Sequence, residues 1–466
     1  MAERRVDLLV RNGTVVTPLG RYAADLAVRD GRIAEIAAPG QLDGVVGIDE
    51  IDASGQFVLP GVIDCHVHFR EPGLEHKEDW GSGSTAAVMG GVTMVFEMPN
   101  TLPPTSTAAL VQAKQRLAEA KSYCDFGLYG LVIQENVQEI QPMAQAGVAG
   151  YKCFLGESIG SIPTPDDGML IEAMRHVAET GLRIGFHAEN NAIMQHHIRR
   201  LKASGRTDPL AHVESRPVIA EVEAIQRAAL FSQLANTKIH IFHLSSLQGL
   251  ATVESWRARG VDVTAETAPQ YCFMTSNDMH TLGAMLRINP PVREPGHDAA
   301  LLDGLVTGSV NAIATDHSPH LLEDKLHTDI WQAVSGFAGV ETSVRLFLTY
   351  AVNAGKMSLE QYVRVSSEGP ARAWGVYPLK GAIAVGSDAD LTIVDLDKEG
   401  VIDRAQLHGG NNQNPYEGRR TRGAAVATVV HGQVVMRDGE LVGEPRGRMI
   451  RPLSTSNRLD ALSGAR

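Results

Sequence analysis

FVLPGVIDCHVHF (residues 57–69) is a short apolar, β-branched run that ends in two histidines spaced two apart. Runs of the same texture follow it in order: VTMVFEM (92–98), DFGLYGLV (125–132), GVAGYKCFL (147–155), LRIGFHA (182–188), KIHIFHL (238–244), VDVTAET (261–267) and NAIATDH (311–317). Between them lie segments such as STAALVQAKQRLAEAK (106–121) and TPDDGMLIEAMRHVAETG (164–181), whose apolar residues recur with the helical period. Short buried strands alternating with helices imply βαβ units and a parallel sheet. Eight units predict a (β/α)8 barrel, whose active site lies at the C-terminal ends of the strands. The two long connections, about 190–235 and 267–310, are expected to form lobes over that mouth.

The texture changes on both sides of this block. VDLLVRNGTVV (6–16) and DLAVRDGRIAEIA (25–37) alternate around Asn12-Gly13 and Asp30-Gly31, pairs that signal hairpin turns. DADLTIVDL (388–396) and VATVVHGQVVMRDGELV (426–442) look alike at the other end. Neither piece can bury a core alone. The expected architecture is therefore α/β: a TIM-like barrel over 56–370, with a small composite β domain built from 1–55 and 371–466.

Of the 466 residues, 44% are hydrophobic and 21% charged, which is enough apolar material for a large core and excludes a disordered or fibrous chain. The formal net charge of −12 argues against nucleic acid as a partner, because an acidic chain gains nothing by displacing counterions from a polyanion. Four scattered cysteines form neither a disulfide framework nor a zinc knuckle. No stretch approaches 18 uninterrupted apolar residues, so no membrane span is expected. The N-terminus turns polar too early for a signal peptide, and the reading is a cytoplasmic enzyme.

Several strand ends carry metal-binding side chains. His66 and His68 fall on one side of their strand by its period of two. An isolated pair of this kind is usually ordinary packing. Here His187, His243 and Asp316 close other strands, and histidines with a carboxylate converging on one barrel mouth are what a metal site requires. Lys152 sits in an apolar run where a bare ammonium is expensive to bury. His240 is out of phase with His243 and reads as packing. GSGSTA (81–86) mimics a dinucleotide fingerprint but follows no strand, so it reads as a helix start.

In order, DCHVHFREPG (64–73), GGVT (90–93), MPNT (98–101), YKCFL (151–155), FHAE (186–189), FHLSS (242–246), ETAPQ (266–270), INPPVR (288–293) and ATDHSPH (314–320) resemble the cyclic-amidohydrolase branch of the amidohydrolase superfamily. That branch holds dihydroorotases, allantoinases and hydantoinases or dihydropyrimidinases, and the resemblance spans nearly the whole chain. It implies two divalent metal ions, zinc being the usual guess. His66, His68 and Asp316 would hold one and His187 and His243 the other, bridged by Lys152 carboxylated on its side-chain nitrogen. It also implies Asp316 as proton carrier and a homo-oligomer, a dimer or tetramer.

Within the branch, Arg70, Asn100, Asn289 and His320 match the positions with which dihydroorotases hold a substrate carboxylate. That match puts dihydroorotate first as substrate, in pyrimidine biosynthesis. Allantoinase or hydantoinase activity is the alternative, favoured by Gln270, which stands where dihydroorotases often carry His. An inactive structural homologue is a further alternative, which the filled set of ligand positions disfavours.

Overall fold

The computed structural model describes residues 4–156 and 162–453. The N-terminal segment contributes β1 (Arg4–Thr17), β2 (Gly20–Arg29), β3 (Arg32–Ala37), β4 (Val45–Asp52) and β5 (Phe57–Pro60). Next come β6 (Val62–Val67), β7 (Val92–Glu97), β8 (Asp125–Leu131), β9 (Gly150–Phe154), β10 (Arg183–His187), β11 (Lys238–Ile241), β12 (Val263–Thr267) and β13 (Ala312–Ile313). The chain ends with β14 (Leu391–Val401), β15 (Arg420–Val430), β16 (Gln433–Arg437) and β17 (Glu440–Leu441).

Strands β6 to β13 pair in parallel and in sequence order, with helices in the connections. A parallel bridge between Val67 and His317 joins the last strand to the first, with His68 N–H donating to His317 O at 2.8 Å. The result is a nearly closed TIM-like barrel. Its last strand is cut short because the Asp64 carboxylate takes the Thr315 backbone N–H (3.1 Å) and hydroxyl (2.5 Å) and Asp316 turns to a φ of 52°.

The other strands form a separate sheet in the order β17-β16-β15-β14-β5-β1-β2-β3, with β4 beside β1. Both chain ends are needed to close its core. Leu8, Val10 and Val15 from one end pack in one buried cluster with Leu391, Ile393 and Val429 from the other.

Two readings change in three dimensions. Phe57–Pro60 does not begin the first barrel strand. It pairs with β1 and β14, and the chain enters the barrel only after Gly61, where a side chain would press on Thr93 and Asp390. Asn12-Gly13 is a bulge within β1 rather than a hairpin turn, with the Asn12 N–H donating to Asp25 at 2.8 Å; Asp30-Gly31 does turn β2 into β3. GSGSTA opens the helix Trp80–Met89, capped by Asp79, as expected. Among the described residues no helix is long and apolar enough to cross a membrane.

The two sheets are joined by a buried ion cluster. Lys380 donates to Asp125 at the start of β8, to Asp390 at 2.6 Å, and lies 3.0 Å from Asp388. His431 Nε2 lies 2.7 Å from the same Asp125 carboxylate. Removing one partner of a buried ion pair leaves uncompensated charge, so Lys380→Met should lower unfolding stability by about 3–5 kcal/mol. Urea denaturation would measure this, and a loss below about 1 kcal/mol, the scale of an exposed pair, would refute it.

Candidate active site

The C-terminal strand ends gather the candidate metal-binding side chains into two abutting groups. His66 and His68 project from the end of β6, and Asp316 Oδ1 lies 3.2 Å from the Nε2 atom of each. One donor atom from each of the three falls within 4.8 Å of the others. His187 closes β10 and His243 follows β11, with His187 Nδ1 at 2.9 Å from His243 Nε2. The His66 and His243 rings stand 5.3 Å apart, so the groups touch. Lys152 on β9, in register with Gly185 of β10, lines the same cavity. Its Nζ sits 3.8 Å from the centre of the Phe242 ring and 4.9 Å from that of Phe154. Among the described residues no carboxylate or hydrogen-bond acceptor reaches it.

The electrostatics follow from burial. Desolvation drives the imidazoles of His66, His68 and His243 well below their usual range, which leaves them neutral with lone pairs available. It pulls the Lys152 ammonium down to about 7 and pushes the Asp316 carboxyl up to about 7. Neutral imidazoles beside a carboxylate form the donor set of a divalent ion such as zinc. His243 Nδ1 is buried without a hydrogen-bond partner among the described residues, and two ring nitrogens face each other across 2.9 Å. These residues fit a metal centre.

Further residues support the donors. His187 Nε2 lies 2.9 Å from Glu189, whose carboxylate also accepts from Arg216 at 2.6 Å. Glu266 lies 2.6 Å from His66 Nδ1. His240, read as packing, also reaches Glu266, at 3.1 Å. Neither glutamate was singled out from sequence, although each stood in a quoted motif. A carboxylate in an apolar strand end needs a partner, and that was the available signal.

The residues expected to bind a carboxylate separate into two sets. Asn100 and Asn289 line the cavity, with Ser318 and Ser335. Arg70 and His320 are not on its wall. Arg70 is buried at a φ of 66°, donates to Ser318 Oγ at 2.6 Å and lies 3.1 Å from His320 Nε2. His320 is held between Lys77 and the Ser335 carbonyl, each at 3.1 Å. Gln270 lies off the wall too, bonded to the Thr315 carbonyl and the Tyr416 hydroxyl at 3.2 Å each.

The model of the amidohydrolase family matches residues 57–435. The chain belongs to that family. This amidohydrolase is 38% identical over 448 residues to the allantoinase of Solibacter usitatus, covering 96% of this chain and 97% of the relative. It is 37% identical over 426 residues to the dihydroorotase of Methanothermobacter thermautotrophicus, covering 91% of this chain and 94% of the relative. Among solved structures, the L-hydantoinase (dihydropyrimidinase) from Arthrobacter aurescens superposes with a TM-score of 0.93 at 37% identity. That match covers 96% of the amidohydrolase and all of the L-hydantoinase.

Proposed function

We propose that this amidohydrolase opens a neutral cyclic ureide of the allantoin or hydantoin type by metal-assisted hydrolysis. His66, His68 and Asp316 would hold one divalent ion, zinc by the chemistry of the donors. His187 and His243 would hold the second, with Lys152, as its carbamate, between them. Divalent ions held there supply Lewis acidity, lowering the pKa of water towards neutrality and polarising a carbonyl. Asp316 takes a proton from the attacking water and hands it to the ring nitrogen as the C–N bond breaks and the C–O bond forms.

The observation that carries the ureide reading is the place of Arg70 and His320. A clamp for a substrate carboxylate needs its guanidinium on the cavity wall, and neither Arg70, one nitrogen of which donates to Ser318 Oγ, nor His320 lines that cavity. What remains on the wall suits amide N–H and C=O groups. Asn100 Oδ1 is buried without a partner and can accept. Asn289 Oδ1 already accepts from Ser335 Oγ at 3.2 Å, and its amide nitrogen can donate. Ser318 Oγ accepts from Arg70, which leaves its own hydroxyl proton to donate. The allantoinase and L-hydantoinase relatives support the same choice over dihydroorotate, the first reading from sequence.

Side-by-side assays of the zinc-loaded protein on allantoin, hydantoin, dihydrouracil and dihydroorotate test this. The expected kcat/KM for allantoin or hydantoin exceeds that for dihydroorotate at least about 100-fold, because a carboxylate without a cation on the wall enters unpaired. A preference for dihydroorotate that Arg70→Met abolishes through KM would overturn the proposal in favour of the carboxylate clamp.

A further inference from the structure

Glu266 lies on β12 beneath the donor set, and four hydrogen-bonding groups converge on its carboxylate. His66 Nδ1 lies 2.6 Å from Oε1, and the His243 backbone N–H donates to the same oxygen at 3.3 Å. Cys65 Sγ donates to Oε2 at 3.1 Å, and His240 Nε2 lies 3.1 Å from it. His240 Nε2 faces an oxygen that only accepts, so it carries the proton. Its Nδ1 then accepts from Thr264 Oγ1 at 2.8 Å. Both oxygens are thus filled by donors, and Glu266 is 1% exposed.

We infer that Glu266 is a positioning residue for the metal centre, acting on both halves of the donor set at once. This rests on the metal-centre reading above. By accepting from His66 Nδ1 it keeps the ring proton on that atom, so Nε2 presents its lone pair toward Asp316 and the cavity. Through the His243 N–H it holds the backbone of the second group, where φ is 39° and a non-glycine residue needs outside support. A carboxylate on the far nitrogen of a ligating imidazole also raises the basicity of the near one. Cys65 and His240 in turn fix the carboxylate against rotation. Glutamine at this position keeps the size but sets an amide N–H₂ against the proton of one or other pair of donors.

Zinc titration of the metal-free chain against a chromophoric chelator tests the role. Glu266→Gln is expected to weaken binding of at least one zinc ion by about 10–100-fold. Its metal-free melting temperature should stay within about 3 °C of wild type, which a merely structural role would not allow. Zinc binding unchanged from wild type would overturn the inference. Wild-type protein that binds no zinc would instead overturn the metal-centre reading. Should the variant fail to fold, nitrogen-15 spectra of histidine-labelled, metal-free wild type decide. The Nδ1–H tautomer of His66 supports the role, and the Nε2–H tautomer refutes it.

Discussion

Replacing Asp316 with Asn is expected to lower kcat by more than about 10⁴-fold, beyond the ~10²–10⁴ of a single acid–base group, because the proposed metal ligand is lost together with the proposed proton carrier. Asp316 lies 3.2 Å from both His66 and His68, and no other carboxylate lines the cavity among the described residues. Burial raises its carboxyl above the ordinary carboxylate range, which favours its taking up a proton. Asn keeps the shape and removes both roles. Turnover at saturating substrate, with bound metal counted in the same sample, measures the effect. A variant that keeps more than a tenth of wild-type kcat would show that another group moves the proton.

Lys152→Ala is the second large effect. The amine is buried against two aromatic faces with no ion-pair partner in contact among the described residues, and desolvation outweighs the pull of Asp316 and Glu266 to favour its neutral form. A neutral amine attacks carbon dioxide, forming an N–C bond and releasing one proton. The product is an anion, which an ammonium at this place cannot be. Alanine would remove the proposed carbamate, so bound metal should fall below two ions per chain. Activity should fall by at least about 10³-fold, the worth of several kcal/mol of Lewis-acid stabilisation. Short carboxylic acids such as acetate or propionate would occupy the vacated space and restore part of the activity. Full metal content and turnover in the alanine variant, without added acid, would sink the carbamate.

Much of this was legible before any fold was drawn. Apolar β-branched runs alternating with amphipathic helices dictate a parallel barrel, because both periodicities are local and each repeats along the chain. His66 and His68 follow from strand period alone, and His187 sits at the last position of its own strand. His243 and Asp316 were found from their place at strand ends, but their orientation is not given by alternation. Both have positive φ, so side-chain direction there comes from contacts distant in sequence, such as Glu266 on the His243 N–H.

By itself, then, the sequence determined the barrel, the second sheet shared by the chain ends, and the six candidate ligands that meet in one cavity. Only the tertiary structure decided how the substrate residues divide. Arg70 stands two residues past His68, and continued alternation would place all three side chains on the same face. Its φ of 66° breaks that alternation and turns the guanidinium toward Ser318, 248 residues away in the chain, and out of the cavity wall. The same holds for Phe57–Pro60, whose partners in β14 lie more than 300 residues away, and for the carboxylate of Glu266 beneath His66. Local pattern specifies which residues can reach a strand end. Where each side chain points once it leaves the ladder is set by partners that only folding brings near.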